Sequence, residues 1–218
     1  MASFLRAEDP VGTAAGLLMT RLEAIDRQQG RARLAVAGGS AALVLGAVRR
    51  GLQAGVWSRL LLTWVDERCV AWADPESNRG AAYRDGQLDP SAPPALELPL
   101  YLDGETPPEA CARVAAALRR EFLDGLDVLL LGMGEDGHIA SLFPGRPFER
   151  IGNPPVFAVP DSPKPPPRRI TLALSMLATA ASAVLVASGP AKQDALERLA
   201  QGDPALPASA LKDLTVIS

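Results

Sequence analysis

Four stretches of this 218-residue chain carry residues able to do chemistry, and one of them holds the only histidine. That stretch is Gly132-Met-Gly-Glu-Asp-Gly-His138, directly after the apolar run Asp127-Val-Leu-Leu-Leu131. Imidazole is the side-chain type whose ordinary pKa lies near neutrality, which suits it to take a proton from water or return one. His138 can equally be a buried histidine held by backbone hydrogen bonds, or a helix cap. In the second stretch, Gly38-Gly39-Ser40, exposed amides, a helix dipole and a hydroxyl would together favour an anion such as phosphate. A tight turn with a capping serine accounts for the same residues. The third, Asp66-Glu67-Arg68, offers a planar guanidinium fork for phosphate or carboxylate, or simply a surface ion pair. Cys69 beside it reads as a small buried filler. The fourth, Ser162-Pro-Lys-Pro-Pro-Pro-Arg-Arg169, is either a polyproline connector or a stiff arm presenting Lys164 and Arg168.

What positions these stretches is an alternation of strands and helices. Asp9-Pro10 opens a helix to about Gln28, with proline at its first position. Arg31–Ala37 reads as a strand, and Ser40 caps a helix over roughly Ala41 to Ala54. Arg59–Val65 is a second buried strand, which completes a βαβ unit. A loop over Asp66–Ser77 and a short helix from Asn78 to about Leu88 follow. Thr106-Pro-Pro-Glu109 starts an amphipathic helix to about Asp124. Strands are expected at 127–131, 156–159, 170–174, 183–187 and 214–217, with a helix over about Ala191–Gln201. This order predicts a single domain over 1–218, a three-layer α/β/α sandwich on a mostly parallel, Rossmann-like sheet. The glycine-rich turns then leave strands at their carboxyl ends, where open α/β sheets receive ligands. One crevice would gather the amides, the cations and His138. Gly132-x-Gly-x-x-Gly137 matches a dinucleotide fingerprint only formally: that motif needs a helix starting there, and Pro144 leaves barely a turn of room.

Composition narrows the partners. The chain is 48% hydrophobic with net charge −3, and it has no basic run longer than two residues, which argues against nucleic-acid binding. Two distant cysteines, Cys69 and Cys111, and one histidine make no zinc-type spacing. The longest uncharged stretch, Ile170–Ala191, is broken by Thr171, Ser175, Thr179, Ser182, Ser188 and Gly189-Pro190, so it reads as strand–turn–strand and not as a membrane span. The N-terminus carries no secretory pattern, and a soluble, cytoplasmic protein is expected.

The chain resembles the glucosamine-6-phosphate isomerase/6-phosphogluconolactonase superfamily, and within it the 6-phosphogluconolactonases. The resemblance rests on Ala37-Gly-Gly-Ser40, Trp64-Val-Asp-Glu-Arg68 with Ser77-Asn78, Leu131-Gly-Met-Gly-Glu-Asp-Gly-His138 with Ala140-Ser-Leu-Phe-Pro-Gly145, Ser162-Pro-Lys-Pro-Pro and Arg169-Ile-Thr-Leu, in the family's order over nearly the whole chain. It implies the NagB/RpiA/CoA transferase-like fold and hydrolysis of 6-phospho-D-glucono-1,5-lactone to 6-phosphogluconate, the second step of the oxidative pentose phosphate pathway. It also implies no metal or organic cofactor, a phosphorylated sugar lactone as partner, no nucleic acid or membrane partner, and a monomer or homodimer. His138 and Arg68 would be the catalytic pair, with His138 activating water. Gly38, Gly39, Ser40, Asp66, Asn78, Gly134, Asp136, Lys164 and Arg168 would bind substrate or shape the site. The sister branch, the glucosamine-6-phosphate deaminases, shares a Gly-x-Gly-x-Asp-Gly-His segment but continues with Phe-Asn-Glu-Pro, where this chain has Ser141-Leu-Phe-Pro. It also carries an aromatic at the position of Arg68. A sugar-phosphate sensor without turnover is the third alternative. Ala41 stands where the family often has threonine.

Overall fold

The computed structural model describes residues 2–147 and 154–218. Its strands are β1 (Ser3–Leu5), β2 (Arg33–Val36), β3 (Leu61–Trp64), β4 (Asp66–Arg68), β5 (Leu96–Leu98), β6 (Val128–Gly132), β7 (Val156–Val159), β8 (Arg169–Leu172), β9 (Ser182–Val186) and β10 (Leu214–Ile217). Its helices are α1 (Pro10–Gln29), α2 (Ala41–Gly51), α3 (Ala54–Trp57), α4 (Asn78–Arg84), α5 (Pro107–Glu121), α6 (Leu174–Leu177) and α7 (Gln193–Ala200). Seven strands form one parallel sheet in the order β1-β10-β9-β6-β2-β3-β5, as expected for the α/β sandwich. A second sheet, β4-β8-β7, is antiparallel.

The central strands are near-continuous apolar runs because both of their faces are covered. Leu34, Ala35, Val36, Leu62, Trp64, Val128, Leu129, Leu130, Leu131, Val184 and Leu185 are all fully or almost fully buried. On one face α1 and α2 pack against each other and onto β6. The α1 stripe Ala14, Leu18, Leu22 and Asp26 repeats every four residues, so one side of the helix faces the core. Asp9 starts α1 by accepting from the Gly12 amide at 2.9 Å, and Gly30 ends it at φ +76°. Chain order runs outward from β2 to β3 and β5, then returns to β6 on the other side of β2. That reversal opens the crevice between the carboxyl ends of β2 and β6. At their opposite ends the two strands are locked together: the Arg33 guanidinium donates to Asp127 at 2.7 and 3.0 Å, and the Arg33 amide adds a bond of 2.8 Å.

Several local expectations need correction. Ser40 has helical backbone angles and its side chain makes no cap bond to α2. The helix from Ala41 stops at Gly51, and the chain turns before a separate short helix, α3. The helix from Asn78 ends at Arg84, not near Leu88. Asp66–Arg68 is not loop. Val65 is the corner where the chain leaves one sheet for the other: its amide donates to Val36, and its carbonyl accepts from Leu172. The strand expected at Ile170–Leu174 begins one residue earlier and ends at Leu172, where α6 takes over. No helix among the described residues is long and apolar enough to cross a membrane.

Candidate active site

The exit of β6 is shaped by glycine. The Gly134 amide donates to the His138 carbonyl at 2.9 Å, and the Gly137 amide donates to the Gly134 carbonyl at 3.0 Å. Gly137 sits at φ +85°, a left-handed conformation that favours glycine. A Cβ on Gly134 would overlap Cε1 and Nδ1 of His138, so the ring can lie on this turn only because residue 134 has no side chain. No helix starts over residues 138–147, which removes the dinucleotide reading. The imidazole also packs against Phe143, with ring centroids 4.6 Å apart.

Within this turn Asp136 Oδ1 lies 2.5 Å from His138 Nδ1 and also accepts the His138 amide at 3.3 Å. An ionised carboxylate only accepts, so Nδ1 carries the proton and Nε2 keeps the lone pair. Burial pushes the Asp136 carboxyl up, but the hydrogen bond and charge of His138, with the charge of Lys164, hold it below its ordinary value. The dyad is therefore oriented for proton uptake at Nε2.

A cleft of about 170 Å³ brings His138 together with Gly38, Gly39, Ser40, Asp66, Arg68, Asn78 and Gly134. Gly38 packs so closely on the Asn78 side chain that a Cβ there would overlap it. The Ser40 hydroxyl, not spent on capping, is exposed at the first turn of α2. Asp66 is buried; it accepts from Ser141 Oγ at 2.7 Å and from Asn78 Nδ2 at 3.3 Å. Arg68 donates through Nη1 to the Glu76 carbonyl at 2.8 Å, while its buried Nε has no hydrogen-bond partner. Glu67, absent from the expected set, is what sets this corner. Its buried carboxylate accepts the amides of Arg68, Asn78 and Arg79 at 2.7–2.8 Å, tying β4 to the start of α4. Burial pushes the Glu67 carboxyl up, against the pull of those amides.

Three expected residues lie off the cleft lining. Asp136 stands behind His138, Lys164 is half-buried on the arm between β7 and β8, and Arg168 is exposed. Two charged residues outside the expected set line the cleft: Arg169, at the start of β8, and Lys192, in the turn after β9. Lys192 makes no side-chain hydrogen bond or ion pair among the described residues. Its signal in the sequence is a lysine placed just past Gly189-Pro190 at a strand exit. The assembled cleft has a base at one end, cations and the exposed Ser40 around it, and a buried carboxylate in its wall.

A family model described as glucosamine-6-phosphate isomerases/6-phosphogluconolactonase matches residues 6–217. The chain belongs to this family. It is 35% identical to the 6-phosphogluconolactonase of Rattus norvegicus over 204 residues, which covers 88% of this chain and 77% of the relative. It is 34% identical to that of Caulobacter vibrioides, covering 97% of this chain and 91% of the relative. Among solved structures, a 6-phosphogluconolactonase from Shewanella baltica superposes with TM-score 0.84 at 24% identity, covering 100% of this chain and 98% of that one. A monomeric glucosamine-6-phosphate deaminase superposes with TM-score 0.78 at 19% identity, covering 99% and 96%. Both branches share the fold, so superposition shows architecture and does not separate them.

Proposed function

We infer that this protein hydrolyses 6-phospho-D-glucono-1,5-lactone to 6-phospho-D-gluconate. The observation that carries the reading is the Asp136–His138 dyad set in a glycine-shaped turn beside a cation-lined cleft. The family's lactonase relatives support it.

Nε2 of His138 takes a proton from water as the water oxygen bonds to the lactone carbonyl carbon. The Asp136 carboxylate steadies the imidazolium that results. Arg68 is the donor that meets the oxyanion as it develops. When the tetrahedral species collapses, the bond to the ring oxygen breaks, and the imidazolium returns its proton to that oxygen. One water is added across one acyl–oxygen bond, and His138 is restored. The phosphate is held by the Ser40 hydroxyl at the positive end of α2, Lys192 and, from the arm, Lys164. This anchoring aims the lactone at His138. Residues 1–218 act as one cytoplasmic catalytic unit, monomer or homodimer, on a soluble sugar phosphate.

The test is lactone hydrolysis corrected for spontaneous opening, run beside ammonia release from glucosamine 6-phosphate. Lactone turnover well above background without ammonia is expected. Ammonia with background lactone turnover assigns the deaminase reaction instead. Binding of 6-phosphogluconate with neither activity makes the protein a sensor.

A further inference from the structure

Arg169 opens β8 almost wholly buried, at 3% exposure, and the reaction described above gives it no task. Each of its three nitrogens is engaged. Nε donates to the Pro166 carbonyl at 3.0 Å, and Nη2 donates to the carbonyls of Lys164 and Pro165 at 3.0 and 3.1 Å. Nη1 reaches Ser141 Oγ at 3.4 Å and lies 3.7 Å from Asp66 Oδ2.

The three carbonyls belong to consecutive residues of the proline-rich arm. Residues 165, 166 and 167 are all proline, so this stretch has acceptors and no amide donors of its own. A segment built that way cannot hydrogen-bond to itself, and its carbonyls must find donors elsewhere or stay in water. Here they converge on one guanidinium, while Asp66 supplies the opposite charge that a buried cation needs. Ser162 closes the base of the arm: its amide donates to the Pro167 carbonyl at 2.8 Å, and its hydroxyl donates to the Lys164 carbonyl at 2.9 Å.

We propose that Arg169 is a positioning residue: it fixes the arm that holds Lys164 beside the cleft, and through Lys164 sets how firmly the phosphorylated end of the substrate is gripped. From there the charge of Lys164 acts on Asp136 behind His138. The inference rests on the lactonase reading. Arginine is specific to the task, because a planar fork can serve several carbonyls at once and an ammonium on a flexible stem cannot. Arg169 also stands 5.9 Å from the centroid of Phe143, the ring packed on His138, so it has a second route to the base. The proposal assigns the dominant effect to the arm.

Steady-state lactone hydrolysis by wild type, Arg169→Lys, Lys164→Ala and the double variant tests it. Arg169→Lys should raise KM about tenfold with kcat within about twofold. The double variant should raise KM no further than the worse single variant, because both changes remove the same grip. Multiplied KM effects would overturn the proposal, since Arg169 would then act on substrate independently of Lys164. A fall in kcat at constant KM would overturn it too, placing the action on His138 through Phe143. Should Arg169→Lys not fold, Pro165→Gly/Pro167→Gly loosens the arm and leaves Arg169 in place. The same rise in KM is expected there, and an unchanged KM sinks the idea. If wild type shows no lactone turnover, the lactonase reading fails by itself. The dissociation constant of 6-phosphogluconate across the same variants then decides the role of Arg169.

Discussion

The base and the cations of this cleft are built in opposite ways. The base is local: Gly134, Asp136, Gly137 and His138 lie within five residues, and the turn's own bonds hold them. The cationic wall is assembled from Arg68 on β4, Arg169 on β8 and Lys192 after β9, and only the topology makes these neighbours. A local site can fail at a single backbone atom, whereas a distributed one loses affinity by portions. That difference sorts the expected effects of mutation.

His138→Ala attacks the local half and should cost the most, about 10²–10⁴-fold in kcat, with 6-phosphogluconate affinity nearly unchanged. Turnover that survives the change removes the histidine from the mechanism. Gly134→Ala removes no polar group but displaces the imidazole and crowds the Asp136 carboxylate. A loss of about a hundredfold in kcat is expected, comparable to other misplacements near 1 Å. If its kcat matches wild type, the base does not depend on the turn and the contrast breaks.

The distributed half should respond in KM. Arg68→Lys loses the planar fork, and KM should rise about tenfold, with kcat falling as well because Arg68 also faces the oxyanion. Lys192→Ala should raise KM about fivefold at low salt and less at high salt, because a partly exposed charge is screened. A salt-independent effect would mean that Lys192 matters by packing and not by charge.

Asp136→Asn should give the smallest change in stability, visible through pH. The Asp136 carboxyl is held below its ordinary value of 3.8. A depressed carboxyl contributes stability above its unfolded pKa and loses it as pH falls through the folded one. Urea midpoints of wild type and Asp136→Asn should therefore keep a constant gap through neutral and mildly acid pH, and converge below pH 3.8. A gap that persists unchanged well below pH 3.8 contradicts the pairing.

The same contrast explains what could be read from the sequence. The parallel sheet, the long helices and the His138 turn are legible because apolar runs, proline and aspartate caps and clustered glycines act over a few residues. β4 was not, since three polar residues form a strand only because β8 arrives beside them more than a hundred positions later. Arg168 and Arg169 show the limit most sharply. Neighbours on a strand face opposite sides, and the sequence does not say where the strand begins. The register pairs Arg168's neighbour, Arg169, with Arg68 and buries it, which leaves Arg168 outside the cleft. Lys192 needed the strand order, because β9 must lie next to β6 for its turn to reach the site.

The arm is also the tip of a hairpin. The last rung of the β7–β8 ladder joins Val159 to Arg169, and everything between them is overhang. The number of residues in that tip, together with the grip of Arg169, sets how far the arm can bring Lys164 toward the cleft. Adding or removing a residue there would move the cation like a crane's jib. The phosphorylated ring that fits beneath it would change in size, and the proton-transfer end would stay where it is. Length variation in one hairpin is thus a route by which this scaffold can be retuned to longer or shorter sugar phosphates without rebuilding its chemistry.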